Sequence, residues 1–247
     1  MERTKYQLTV ILLLLGLNQI PASNSQKIYV AYYSGKMQSW KSTIDAMQLS
    51  KEKSNEYLLE LINFQYGYIA WCIGNNRTSD ARKYLDLAFE NLAVLENIKY
   101  QMSMTNAYRA AFYGFEIGLA KYRAPYFGLK SIDASKKAIE YDNNNWMAYI
   151  QSANIQYYIP PMFGGSKKEA LLNYEKALRL LEARKELTYQ NWNYLNLLII
   201  IAQGYTELAD YQKAEFYYQK LLEVEPGFTW VKDELYPNIL ILKSKKN

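Results

Sequence analysis

Three kinds of side chain in this chain could do chemistry: carboxylates, a single thiol and 25 tyrosine phenols. Asp133, Glu140, Glu182 and Glu186 lie on stretches of helical periodicity. No motif holds two of them opposite each other, as general acid–base work requires, and a charged residue on a helix is ordinarily a solvated face. Histidine is absent from all 247 residues. That removes the commonest general base and the commonest metal ligand together. Cys72 alone can form neither an intrachain disulfide nor a thiolate metal site. It sits in the apolar run YIAWCIG and is expected to be a buried, inert thiol. Gly164-Gly165 lacks the lysine and the preceding strand of a phosphate loop. The residues thus predict no catalytic centre, no metal site and no cofactor. The tyrosines either fill helical core positions with their hydroxyls reaching water, or form an aromatic ligand surface.

The elements that position these residues are helices. Leu198, Ile201, Ala202 and Tyr205 fall on one helical face. Asp210 to Gln212 interrupts the pattern. Ala214, Tyr218 and Leu221 make a second face, and Pro226-Gly227 ends it. Residues 195–228 therefore read as one helix–turn–helix. This stretch resembles a tetratricopeptide repeat (TPR), with Leu198 where tryptophan is common and Leu221 where alanine is. One repeat cannot bury its own apolar face, so neighbours are required.

Elsewhere the chain supplies them. Residues 28–50 carry apolar residues at three- and four-residue steps, interrupted by Gly35 as the turn of a short first hairpin. Residues 56–97 read as a stretched second repeat, with Thr78-Ser79-Asp80 as a helix start. Residues 101–143, 144–187 and 191–228 read as three more hairpins. Ala107, Ala111, Gly114 and Gly118 suggest close helix packing. Pro125-Tyr126-Phe127-Gly128 recurs as Pro161-Met162-Phe163-Gly164, and Asn145-Trp146 as Asn191-Trp192. Each asparagine suits an N-cap. Trp230 to Ser244, interrupted near Pro237, is a last helix that caps the stack. The expected fold is all-α: a right-handed α-solenoid of about five TPR-like hairpins in one domain, residues 26–247.

Residues 1–25 have the layout of a signal peptide: Arg3 and Lys5, then the apolar run Leu8 to Leu17, then small and polar residues at Ile20 to Ser25. That run is too short to span a bilayer comfortably. The expectation is export to a periplasm, cell surface or medium, with an uncleaved N-terminal anchor as the alternative. No cysteine near the boundary marks a lipid anchor. The net charge of +5 is mild. Basic residues are interspersed with acids, and Lys243 to Asn247 reads as a solvated end, so no nucleic-acid surface is expected.

In TPR folds the first helix of each hairpin lines a concave face, and that resemblance places a tentative binding surface. From the last repeat it takes Asn196, Ile199, Gln203, Thr206 and Glu207; from the one before, Ile150, Asn154, Tyr157 and Tyr158. Ile199 and Gln203 do not match the family's clamp for a peptide carboxylate. The turn Tyr157 to Ser166 holds two prolines and two glycines, and Ser166 and Glu169 form a capping-box pattern. Its Met162 and Phe163 either fold back on the stack or stand as an apolar lip beside the groove. The Pro-x-x-Gly-Gly turn followed by Ala170, Tyr174 and Ala177 is also similar to the T-component of TRAP transporters, a family of periplasmic helical-repeat subunits. The expected function is an exported scaffold that holds a protein or peptide partner of the cell envelope along the concave face. The alternatives are a solute-handling transporter subunit with a small ligand inside the stack, marked by a closed Tyr- and Trp-lined cavity, and a glycan-binding repeat protein.

Overall fold

The structure is a computed structural model that describes residues 22–246. The expected signal segment lies outside the described residues apart from its last four. Ser23 accepts a hydrogen bond from the Gln26 amide and starts α1 (Asn24–Tyr33). Ten helices follow among the described residues: α2 (Met37–Leu49), α3 (Asn55–Gly74), α4 (Thr78–Asn97), α5 (Met102–Leu119), α6 (Ala124–Tyr141), α7 (Trp146–Tyr158), α8 (Lys167–Glu182), α9 (Trp192–Glu207), α10 (Tyr211–Val224) and α11 (Tyr236–Lys246). No strand occurs among the described residues. α1/α2, α3/α4, α5/α6, α7/α8 and α9/α10 pack as hairpins, and α11 leans on α10. The fold is the all-α solenoid of TPR-like hairpins that the sequence predicts.

Local chemistry sets the hairpin ends. Gly35 turns α1 into α2 at φ +69°, a region open to glycine at no steric cost. Asn145 accepts from the Met147 amide and Asn191 from the Asn193 amide, each at 2.9 Å. The repeated Asn-Trp is therefore a repeated N-cap, worth about 1 kcal/mol each. Ser166 caps α8 through the Glu169 amide. The Thr78-Ser79-Asp80 cap does not form: Arg77 occupies the cap position without a side-chain bond, and Asp80 pairs with Arg77 instead. A π-helical turn, Val231–Leu235, precedes Pro237, which has no amide to donate to a tighter helix.

The repeat positions named above are core. Leu198, Ile201, Ala202, Ala214 and Leu221 are wholly buried, and Tyr205 and Tyr218 nearly so. Many tyrosine hydroxyls, expected to reach water, bond carboxylates on a neighbouring helix. Tyr84 donates to Asp45, Tyr194 to Glu182, Tyr29 to Glu225, and both Tyr205 and Tyr217 to Glu175. These bonds and ion pairs account for several of the acids. Glu182 also meets Lys220, Asp133 meets Lys137, and Glu186 meets Arg184. Glu116, buried in α5, is held between Arg82 and Arg123. Lys243, at the start of the basic tail, pairs with Glu215 at 2.6 Å, while Ser244 and Lys245 after it are exposed as expected.

The array does not stay open. α1 packs on α9, and Tyr32 donates to Asn196 across 164 residues of sequence at 2.9 Å. Around this contact Tyr32, Trp40 and Tyr66 surround Trp192, with the Trp40 and Trp192 ring centroids 5.0 Å apart, and Phe228 packs on Tyr32. Gly67 on α3 makes room for them. A Cβ there would lie 2.6 Å from both indoles, so only glycine lets α3 approach. The inner wall expected to be a continuous groove is filled by the protein's own aromatic rings.

Candidate binding site

Beside that plug lies a half-open pocket of about 470 Å³ between the C-terminal halves of α7 and α9, bordered on one side by α11. Asn154, Tyr157 and Tyr158 come from α7, and Ile200, Gln203, Thr206 and Glu207 from α9. Tyr174 of α8, Tyr218 of α10 and Leu235, Asn238 and Ile239 of the terminal segment complete it. Six of the nine predicted surface residues thus meet in one place: Asn154, Tyr157, Tyr158, Gln203, Thr206 and Glu207. The other three do not line it. Ile150 and Ile199 are buried in the core, and Asn196 is engaged by Tyr32. The physical reason is the closure: α1 covers the side of α9 that an open solenoid would present.

The pocket is polar at fixed points and apolar between them. Tyr174 donates to Asn154 Oδ1 at 2.6 Å, and Asn154 Nδ2 donates to Gln151 at 3.0 Å. Gln151 reaches on to Tyr66 in the aromatic plug. One hydrogen-bond chain therefore links the pocket floor to the molecule's centre. Glu207 pairs with Lys167 at 2.6 Å; Lys167 first, then the Tyr157 hydroxyl, hold its carboxyl below the usual range. Burial, then Glu207, push the Tyr157 phenol up. Burial pushes Tyr218 up to about 12. Both phenols are neutral donors at ordinary pH. The lining offers rings, branched aliphatics and neutral amides, with its one carboxylate already paired. Such a surface can hold a compact, largely uncharged molecule.

Sequence reasoning missed Ile200, Tyr174, Tyr218 and the terminal segment. Ile200 is one step from Ile199, and only the position of α1 decides which of the two faces the opening. Tyr174 and Tyr218 are second-helix repeat positions whose rings pack while their polar ends reach the pocket. The turn residues Met162 and Phe163 lie outside the pocket lining, and they do not fold back: they are 82% and 72% exposed.

A second cavity, about 350 Å³, opens at the other end of the inner helices. Glu56, Glu60 and Glu186 border it above Phe64, Tyr108, Trp146 and Trp192. Trp192 Nε1 is the one buried side-chain polar atom without a hydrogen-bond partner among the described residues. Cys72 is fully buried, and burial pushes its thiol up to about 11. Among the described residues no cluster of three potential metal ligands exists, and no helix is long and apolar enough to cross a membrane.

No protein-family profile matches the chain, and no curated protein matches it in sequence. Solved structures do share its fold. One is the HusA haemophore from Porphyromonas gingivalis, 19% identical, with a TM-score of 0.55 over 74% of this chain and 92% of that one. Another is a thermophilic TPR protein from Thermus thermophilus, 14% identical, with a TM-score of 0.54 over 89% of this chain and 100% of that one. At these identities the likeness shows the architecture: a TPR-like helical-repeat scaffold.

Proposed function

We propose that this chain is an exported, non-catalytic binding protein that holds a compact aromatic or apolar ligand in the pocket between α7, α9 and α11. The observation that carries this reading is the aromatic plug. Tyr32, Trp40, Tyr66 and Trp192 pack on one another at the inner wall, and beside them lies a half-open pocket lined by Tyr157, Tyr158, Tyr174 and Tyr218. A solute-handling role beside a transporter requires such a pocket. The haemophore with this fold is named for haem, which makes an aromatic ligand the first class to test here.

A protein or peptide partner that inserts one anchor side chain is the second reading. Tyr158, 78% exposed at the mouth, favours it, because a small ligand inside the pocket leaves most of that ring in water. Native mass spectrometry of the protein purified from its own cell envelope separates the two. A small-molecule adduct that disappears in the pocket-filling variant Ile200→Trp is the expected result. No adduct, with a protein partner lost in Ile200→Trp, replaces it by the second reading. No adduct and an unchanged partner list sink both.

A further inference from the structure

The two echoed Pro-x-Phe-Gly segments lie at the α5/α6 and α7/α8 joints, the first in the opening turns of α6 and the second as a short turn before α8; Phe127 packs on Tyr113, whereas Tyr126, Met162 and Phe163 are exposed. Among the described residues seven large apolar side chains are more than 70% exposed; Tyr122, Tyr158, Met162 and Phe163 sit at these two joints and Leu129 lies on the second turn of α6. Each turn follows the C-terminal end of an inner helix, and α7 packs on both α5 and α6. Both turns therefore come off the same edge of the array. A concentrated apolar edge on a folded protein marks an interaction surface.

Charge identifies the occupant. The chain at the two turns carries five cations, Lys121, Arg123, Lys130, Lys167 and Lys168, against one exposed acid without an ion pair among the described residues, Glu169 in the first turn of α8. Arg123 is tied to Glu116 and Lys167 to Glu207. Lys130 lies over the Tyr126 ring at 4.1 Å, and Lys121 and Lys168 have no ion-pair partner among the described residues. Rings and a thioether at the tips, with ammonium groups behind them, match the chemistry of a bilayer surface. Apolar tips enter the acyl boundary, tyrosines sit at headgroup level and lysines meet anionic phosphates. We propose that this edge docks the protein on an anionic phospholipid membrane. The turns are preformed: Gly165 lies so close to the Ile159 carbonyl that no Cβ fits, and Arg123 is pinned by the buried Glu116 carboxylate. Docking therefore orders little new backbone. The inference does not depend on the nature of the pocket's ligand.

Co-sedimentation with phosphatidylcholine vesicles, with and without phosphatidylglycerol, tests it. The protein is expected to bind the anionic vesicles, to release as salt rises, and to bind phosphatidylcholine alone weakly. Met162→Ser with Phe163→Ser is expected to lower partitioning at least about tenfold, and Lys121→Glu with Lys168→Glu by about tenfold or more. Phe216→Ser, an exposed position on α10, is expected to change nothing. All these sites are exposed, and far-UV circular dichroism confirms the fold of each variant. Equal binding to both vesicle types, or full binding by the Met162/Phe163 variant, overturns the proposal. So does a wild-type protein that ignores vesicles but loses a cross-linked protein partner in the same variants.

Discussion

Tyrosine is the residue that this fold uses most heavily, because a phenol fills volume while its hydroxyl bonds a carboxylate on the next helix. Tyr32, Tyr108 and Tyr174 have phenols raised above the ordinary value by burial, and Tyr218 reaches about 12 against 10.0. In the folded chain these groups keep their protons where the unfolded chain has lost them. Between about pH 10 and about pH 12 the native state therefore binds more protons, and stability falls as pH rises. Stability from these groups should be intact below about pH 10 and drain away through about pH 12. A titration following the tyrosinate absorbance band and far-UV circular dichroism together should show late-titrating phenols released with unfolding. Early, independent titration of all phenols would contradict it. Cys72, raised to about 11 by burial, should resist alkylation at neutral pH until denaturant is added.

At the scale of helices, periodicity was enough to place the hairpins but not to say which small residues matter. Leu198, Ile201, Ala202, Ala214 and Leu221 declare a core face by spacing alone, and Asn145 and Asn191 declare helix starts. Gly114 and Gly118 also read as close-packing positions, yet a Cβ at Gly114 would meet nothing and one at Gly118 only ordinary contact with Ile73. The glycine that does matter, Gly67, is hidden in a helix that is apolar on most sides. Its partners Trp40 and Trp192 are remote in sequence, and no local pattern reports them. The site divides the same way. Asn154, Tyr157, Gln203 and Glu207 follow from helical register, whereas Leu235, Asn238 and Ile239 depend on where α11 folds back. Gly67→Ala should destabilise by about 1–3 kcal/mol through overpacking. Gly114→Ala should stabilise by about 0.5–1 kcal/mol through helix propensity. Chemical denaturation of the two variants checks the opposite signs.

The whole molecule behaves as one unit because its two ends meet. An open repeat array has only nearest-neighbour terms and can melt piecemeal. Here Tyr32 to Asn196 and Tyr29 to Glu225 join hairpins separated by 164 and 196 residues. Tryptophan fluorescence, to which Trp40 and Trp192 contribute beside three other tryptophans, and circular dichroism should therefore give coincident unfolding curves in the wild type. Trp40→Ala should separate them, and non-coincidence in the wild type would refute the coupling. The join also bears on how the chain is made. A ribosome delivers α1 and α2 first, but their indole and phenol side chains meet their partners only once α9 has emerged, so losing the last repeat would be felt at the first.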